Sequence, residues 1–393
     1  FMDYRVLLQE ATSCQDSLTN YRHYLHSHAE VDFDLPQTIA YVKEQLIQMG
    51  YDPIPCGRSG LIAMAGGKKP GKVFLLRADM DALPIHEEAD VDFASHNGQM
   101  HACGHDLHTT MLLGAARLLK DHENDICGTV KLMFQPAEET LGGARDMIDH
   151  GILQDPPVDA AMMIHVMTGS DLPTGTVTVC DGGVSAPGAA YFTINVQGKG
   201  CHGAMPNTGV DPLNVMSHIH LALQAINARE MDPMDNLVLT IGQMHGGQTS
   251  NVIPNDAYMS GTIRTLKNET RAMVKERMEA IVSTVATAFG AEAKVEWGSG
   301  CPVLMQNEPL YKEVKGYLQT LEGAIIIDVD DFGMPAGGGM GSEDFAHVAN
   351  AVPSVFLGVP AGHPKDGYIH PQHHPKARFM DEALPCGAAA YAQ

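Results

Sequence analysis

The chain has 393 residues, 44% of them apolar, and sets 25 Lys and Arg against 47 Asp and Glu for a net charge of −22. That length predicts about two to three domains around a sizeable core. The acidic balance excludes nucleic acid and anionic membrane as partners, because no surplus of basic side chains exists to neutralise phosphate, and without an apolar run of about 18 residues no membrane span is expected.

Segments 5–27 and 36–49 read as helices, and 60–65 and 72–78 as strands. Residues 107–120 carry apolar side chains at helical spacing. A strand over 128–135, a helix over about 141–150 and a strand over 159–165 follow. Short apolar runs alternating with helices predict an α/β sheet covered on both faces, with ligands held at the carboxyl ends of its strands.

The middle of the chain changes pattern. Ala190–Val196 alternates as a half-buried strand, and Asp211-Pro212 supplies a cap and a first-turn proline for a helix running to about Arg229. Strands at 237–244 and 257–264 come next, then a helix that Asn268 can cap, then a strand at 293–297. This β-α-β-β-α-β order predicts a ferredoxin-like insertion at 186–298, with 1–185 and 299–393 forming one domain around it. Further α/β segments at 324–329 and 353–357 rejoin the first domain. Gly337–Phe345 lacks the Lys-Ser/Thr ending of a phosphate loop and reads as a loop into a helix with Ser342 as its cap.

The eight cysteines (14, 56, 103, 127, 180, 201, 301 and 386) show no dense spacing of a secreted disulfide scaffold and read as mostly reduced, in a cytoplasmic protein. No secretory signal is visible in Phe1–Arg5.

Several short stretches carry metal-binding chemistry. Cys103 and His105 lie two apart before a helix, where a thiolate and an imidazole suit zinc, nickel, cobalt or manganese; alone, they also read as a buried Cys and a capping His. Glu138 and Glu139 follow an apolar strand, one suited to bind a metal and the other to activate water, although a helix start also favours acidic residues. His165 ends another strand, and Asp79 and Asp81 end a third, where Asp81 would hold a ligand histidine in one tautomer. Near the C-terminus, spacing does not choose among His370, His373 and His374. In the insertion, His202 could donate to an oxyanion, and Asn251 and Arg264 could hold a substrate amide or carboxylate. In isolation these last two also read as a turn Asn and a surface Arg.

Arg77–Pro84 (RADMDALP), His101–His108 (HACGHDLH), Phe134–Glu139 (FQPAEE), Gly198–Pro206 (GKGCHGAMP), Asn251–Pro254, Gly261–Thr265, Gly341–Phe345 and the terminal His-His-Pro occur in this order over nearly the whole chain. Together they resemble the aminoacylase, hippurate hydrolase and indoleacetyl-amino-acid amidohydrolase branch of the aminoacylase-1/carboxypeptidase metallopeptidase superfamily. The resemblance implies a zinc-exopeptidase-like mixed-sheet α/β catalytic domain and an inserted lid that also makes a homodimer. It implies two divalent ions on Cys103, His105, Glu139, His165 and His373, with Cys103 bridging. It assigns Glu138 as general base and His202 as a lid histidine that reaches the other subunit's site. Three positions depart from the pattern: Cys201 stands where Gly is usual, Asn207 where His is frequent, and Gln372 where an apolar residue precedes the last ligand.

The expected reaction is hydrolysis of an N-acyl amino acid, with Asn251 and Arg264 orienting the substrate. A dipeptidase or carboxypeptidase is the alternative within the superfamily, and a metal-binding homologue without catalysis is the alternative outside enzymes.

Overall fold

The computed structural model describes residues 4–180, 183–329 and 341–393. They divide into two compact units, Ala186–Leu304 with 341–346 forming one and the remaining described residues the other.

The larger unit opens with α1 (Leu7–Ser13), α2 (Gln15–Ser27) and α3 (Pro36–Gln48). The single helix expected over 5–27 is thus broken at Cys14. Strands β1 (Ile54–Cys56), β2 (Gly60–Gly66) and β3 (Val73–Asp79) precede the long α4 (His105–Asp121), and β4 (Thr129–Gln135), β5 (Ala160–Met167) and β6 (Val177–Val179) follow it. These strands join Ser354–Pro360 and Ile326–Asp328 in one mixed eight-stranded sheet, in the order β1-β2-β4-β3-β5, Ser354–Pro360, β6, Ile326–Asp328. At its centre β4, β3, β5 and Ser354–Pro360 run parallel, with Asp79 opposite Gln135 and His165 opposite Gly358. Their carboxyl ends therefore lie along one edge, where a doubly covered sheet collects its ligands.

Helix α4 is apolar on nearly every face because it is enclosed, with Leu107, Met111, Leu112, Leu113, Ala115 and Ala116 fully buried in the main core. The C-terminal helix Leu384–Ala392 packs beside it. The Tyr391 hydroxyl donates to the carbonyl of Arg77 at 2.6 Å and accepts from the Ile164 amide at 2.8 Å, pinning that helix to β3 and β5.

The smaller unit holds a four-stranded antiparallel sheet in the order Leu237–Gly246, Asp256–Thr265, Gly188–Gln197, Glu292–Cys301. This is the order of the β-α-β-β-α-β pattern. The helices Pro212–Ala225 and Asn268–Ala288 bury Val215, Ile219, Leu223, Val274, Met278 and Val282 against Phe192, Ile194, Met259 and Ile263. Asp211 caps the first helix by accepting from the Leu213 amide at 2.9 Å. Three local expectations are corrected. That helix gives way after Ala225 to a π-helical turn, Ile226–Glu230. Asn268 does not cap its helix, because its side chain accepts from the Val303 amide at 2.8 Å. The Ser342 hydroxyl makes no hydrogen bond among the described residues, and the Glu343 carboxylate receives the Phe345 amide at 2.8 Å instead. Gly337–Met340 lie outside the described residues.

All eight cysteines are free, and among the described residues no helix is long and apolar enough to cross a membrane.

Candidate metal centre

Three adjacent strand ends and two loops of the larger unit bring the sequence-predicted ligands together. Cys103 precedes α4 and is followed by Gly104 at φ +92°, where an added Cβ would meet Val166 Cγ2 at 2.5 Å. Only glycine allows this tight entry, which turns Cys103 and the first helical residue, His105, towards the end of β5. After β4, the loop 136–142 folds back on itself: Gly142 and Gly143 both donate to the Ala137 carbonyl at 3.1 Å. A Cβ on Gly143 would lie 1.6 Å from the Pro136 oxygen, so this reversal too requires glycine.

The donor atoms form two groups that share one sulfur, each with all atoms within 4.8 Å of one another: Cys103 with His105 and His165, and Cys103 with Glu139 and His373. The Cys103 sulfur is 3.6 Å from His165 Nε2. Glu139 Oε1 lies 3.4 Å from His373 Nε2 and 3.9 Å from His105 Nε2, and Glu138 Oε2 lies 4.0 Å from the same His105 nitrogen. His370 and His374 are elsewhere, their rings stacked on each other at 4.2 Å. Of the three terminal histidines, the structure brings His373 to the cluster.

The electrostatics suit cations. Burial and the Glu139 charge push the Cys103 thiol up, but His165 and His105 outweigh them and hold it at about 6. The His373 imidazole, bonded to Cys103 and Glu139, is raised to about 10. His105 Nδ1 donates to the Asp81 carbonyl at 2.8 Å, which turns Nε2 to the cluster; that buried nitrogen has no hydrogen-bond partner. Burial pulls the His105 pKa down, but Asp79 and Cys103 outweigh it and raise it, so a bound ion would take the place of the Nε2 proton. A mixed S, N, O set with an orphaned imidazole nitrogen fits borderline divalent metals.

Asp81 stands beside the candidate ligand His105. His105 meets its backbone carbonyl, while the carboxylate stands 3.6 Å away and accepts the amides of Glu138 at 2.9 Å and Glu139 at 3.1 Å. His165 Nδ1 turns to the Val166 carbonyl at 2.6 Å, not to Asp81.

Sequence reasoning left Asp79 and His108 without roles. Fully buried Asp79 accepts from Arg77 at 2.9 Å and from His108 Nδ1 at 2.6 Å. His108 Nε2 accepts the Val166 amide at 2.9 Å, and its ring packs edge-on against His165 at 4.5 Å. Burial, against the pull of Asp79, lowers its pKa to about 3 and keeps it neutral. A histidine on an otherwise apolar helix was the available signal.

In the smaller unit, His202 pairs with Val252, and the Gly203 amide donates to the Asn251 carbonyl at 2.8 Å, so exposed His202 and Asn251 sit side by side. Arg264 is not with them. It lies eight residues along its strand from Asp256, about 26 Å at ~3.3 Å per residue, with its guanidinium 5.5 Å from the centre of the Tyr191 ring.

The model of peptidase family M20/M25/M40 matches residues 75–393. An N-acetyl-L-cysteine deacetylase of Bacillus subtilis is 37% identical over 95% of this chain and 86% of its own length. Thermostable carboxypeptidase 2 of Saccharolobus solfataricus is 35% identical over 98% of this chain and 96% of its own. The crystal structure of a Bacillus subtilis dinuclear metal binding peptidase from the M20 family superposes with a TM-score of 0.78 at 30% identity, covering 97% of both chains.

Proposed function

Because this chain belongs to peptidase family M20/M25/M40, we propose that it is a metal-dependent amidohydrolase that cleaves the amide bond of N-acyl amino acids. The observation that carries the reading is the pair of donor groups sharing Cys103, with a second carboxylate, Glu138, beside them. Cys103, His105 and His165 would hold one divalent ion, and Cys103, Glu139 and His373 the other, with zinc, manganese, nickel and cobalt as candidates. When bound, such ions polarise an amide carbonyl and ease the ionisation of water.

The protein's own groups supply the rest. Glu138 is buried, and its backbone is fixed by Asp81, so its carboxylate is held to take a proton from the attacking water and pass it to the leaving amine. Glu139 stays ionised as a ligand: burial opposes its charge, but His373 and His105 lower its pKa. His202 and Asn251, adjacent on one rim of the inserted unit, would stabilise the oxyanion and orient the amide, and Arg264 would grip the amino-acid carboxylate.

The separation of Arg264 from His202 favours a homodimer in which each substrate meets Arg264 of one copy and His202 of the partner subunit. The strand Leu237–Gly246 ends its sheet and exposes Val238 and Met244, a suitable edge for such pairing. Eight free cysteines suit a reducing cytoplasm.

The test is a hydrolysis screen on metal-depleted protein resupplied with each ion, using N-acetyl, N-benzoyl and indoleacetyl amino acids beside free dipeptides. Higher kcat/KM on the acylated compounds is expected. Preference for dipeptides would make the protein a peptidase, and two bound ions with no hydrolysis of either class would make it a non-catalytic binder.

A further inference from the structure

Gln372 stands directly before His373 and has no part in the chemistry above. Its Nε2 donates to the Val166 carbonyl oxygen at 2.9 Å, the same oxygen that accepts from His165 Nδ1. One carbonyl thus receives a hydrogen bond from a candidate ligand of one ion and from the residue next to a candidate ligand of the other. Val166 is itself fixed, because its amide donates to His108, which Asp79 holds in turn.

The two ligand histidines differ in what else holds them. His165 lies within β5, in register with Gly358 of the neighbouring strand, so the sheet fixes its backbone. His373 lies in a loop, its side chain 54% exposed and its φ at +65°. Left-handed backbone costs a non-glycine residue about 1 kcal/mol or more, and persists only where surrounding contacts impose it. Two contacts do so here: the His373 amide donates to the Ala102 carbonyl at 2.9 Å, and Gln372 bonds to Val166. An apolar residue at 372 would supply no donor, leaving the first contact to hold the turn.

We propose that Gln372 is a positioning residue for the metal centre. Through the Val166 carbonyl it ties the loop of His373 to the strand end of His165, and so fixes the spacing between the two ion sites. This rests on the reading of the cluster as a dinuclear centre.

The test measures stepwise binding constants for zinc on metal-stripped full-length protein, by competition with a chromophoric chelator, for the wild type, Gln372→Met and Gln372→Leu. Methionine keeps the length of the side chain and removes the donor. Outer-shell partners typically govern about 10–100-fold in metal affinity. One constant should therefore fall at least ~10-fold in both variants while the other moves less than ~3-fold, with metal-free melting temperatures unchanged. Two constants within about twofold of wild type overturn the proposal. So does a parallel fall in both constants with a lower metal-free melting temperature, which makes Gln372 a fold residue. Wild-type protein that binds fewer than two ions overturns the dinuclear reading, and this proposal with it.

Discussion

The Asp81 carboxylate accepts the backbone amide of Glu138 at 2.9 Å, so the residue just past β3 sets the conformation of the loop that follows β4. Its other oxygen takes the Glu139 amide. Replacing Asp81 with Asn turns one acceptor into a donor facing an N–H, and Ala leaves the buried Glu138 amide and the half-buried Glu139 amide without their acceptor, at about 1–3 kcal/mol for the buried one. Asp81→Asn and Asp81→Ala are expected to lower kcat at least ~10-fold and to weaken metal binding. Hydrolysis rates and metal content after dialysis check this, and a variant with full metal and wild-type kcat would refute it.

How far the sequence displayed these arrangements depends on the range of the contacts. The central strands and α4 were legible because their apolar runs and periods are local, and the candidate ligands were legible because Cys, His and Glu cluster at strand ends. What stayed hidden is set by contacts distant in sequence. Asn268 reads as a cap, yet its side chain is taken by Val303, 35 residues on. Asp81 reads as a partner for a histidine ring and stands beside His105, but nothing in its spacing announces the two amides, 57 and 58 residues away, that its carboxylate also accepts. The choice of His373 over His370 and His374 depends on a left-handed backbone at one loop residue, for which spacing carries no signal.

Glu138→Gln removes the base while preserving size. Gln keeps the backbone amide that Asp81 holds, so the loop and the two donor groups should persist. A general base typically contributes about 10²–10⁴ in rate. We expect kcat to fall by that order with KM and metal content near wild type. Retained activity would remove Glu138 from the role.

His202 and Arg264 offer a test of assembly. If each site draws on Arg264 of one copy and His202 of the partner subunit, His202→Ala and Arg264→Ala are each inactive alone. In a two-fold dimer, mixing them in equal amounts gives half heterodimers with one complete site of two, and recovers about 25% of wild-type activity. Recovery is read after co-expression or after unfolding and refolding the mixture. No recovery, with dimers verified by light scattering, would place His202 and Arg264 of a site within one chain.

His26 gives a pH dependence with a definite sign. Its ring is buried between Asp106 on Nδ1 and Glu87 on Nε2, each at 2.9 Å, with Arg22, His101 and Phe93 also facing this pocket. Burial pulls the pKa of His26 down, but Asp106 and Glu87 outweigh it and raise it to about 9. A histidine whose folded pKa exceeds its unfolded value near 6.5 binds its proton more tightly when folded. Its stabilisation is therefore complete below about pH 6.5 and is lost as pH rises through about 9. The amount is on the order of 3 kcal/mol for a group this buried. Asp106 works in the opposite range: held well below the usual carboxylate value against its burial, chiefly by Arg22 and His26, it loses its contribution only as pH falls below about 4. Melting curves of wild type and His26→Gln at pH 6, 7.5 and 10 isolate the histidine. The wild type should be clearly the more stable at pH 6, and the gap should close towards pH 10. A gap that stays constant or widens would mean that His26 is not protonated in the folded protein, and that Asp106 and Glu87 are held by Arg22 and backbone donors alone.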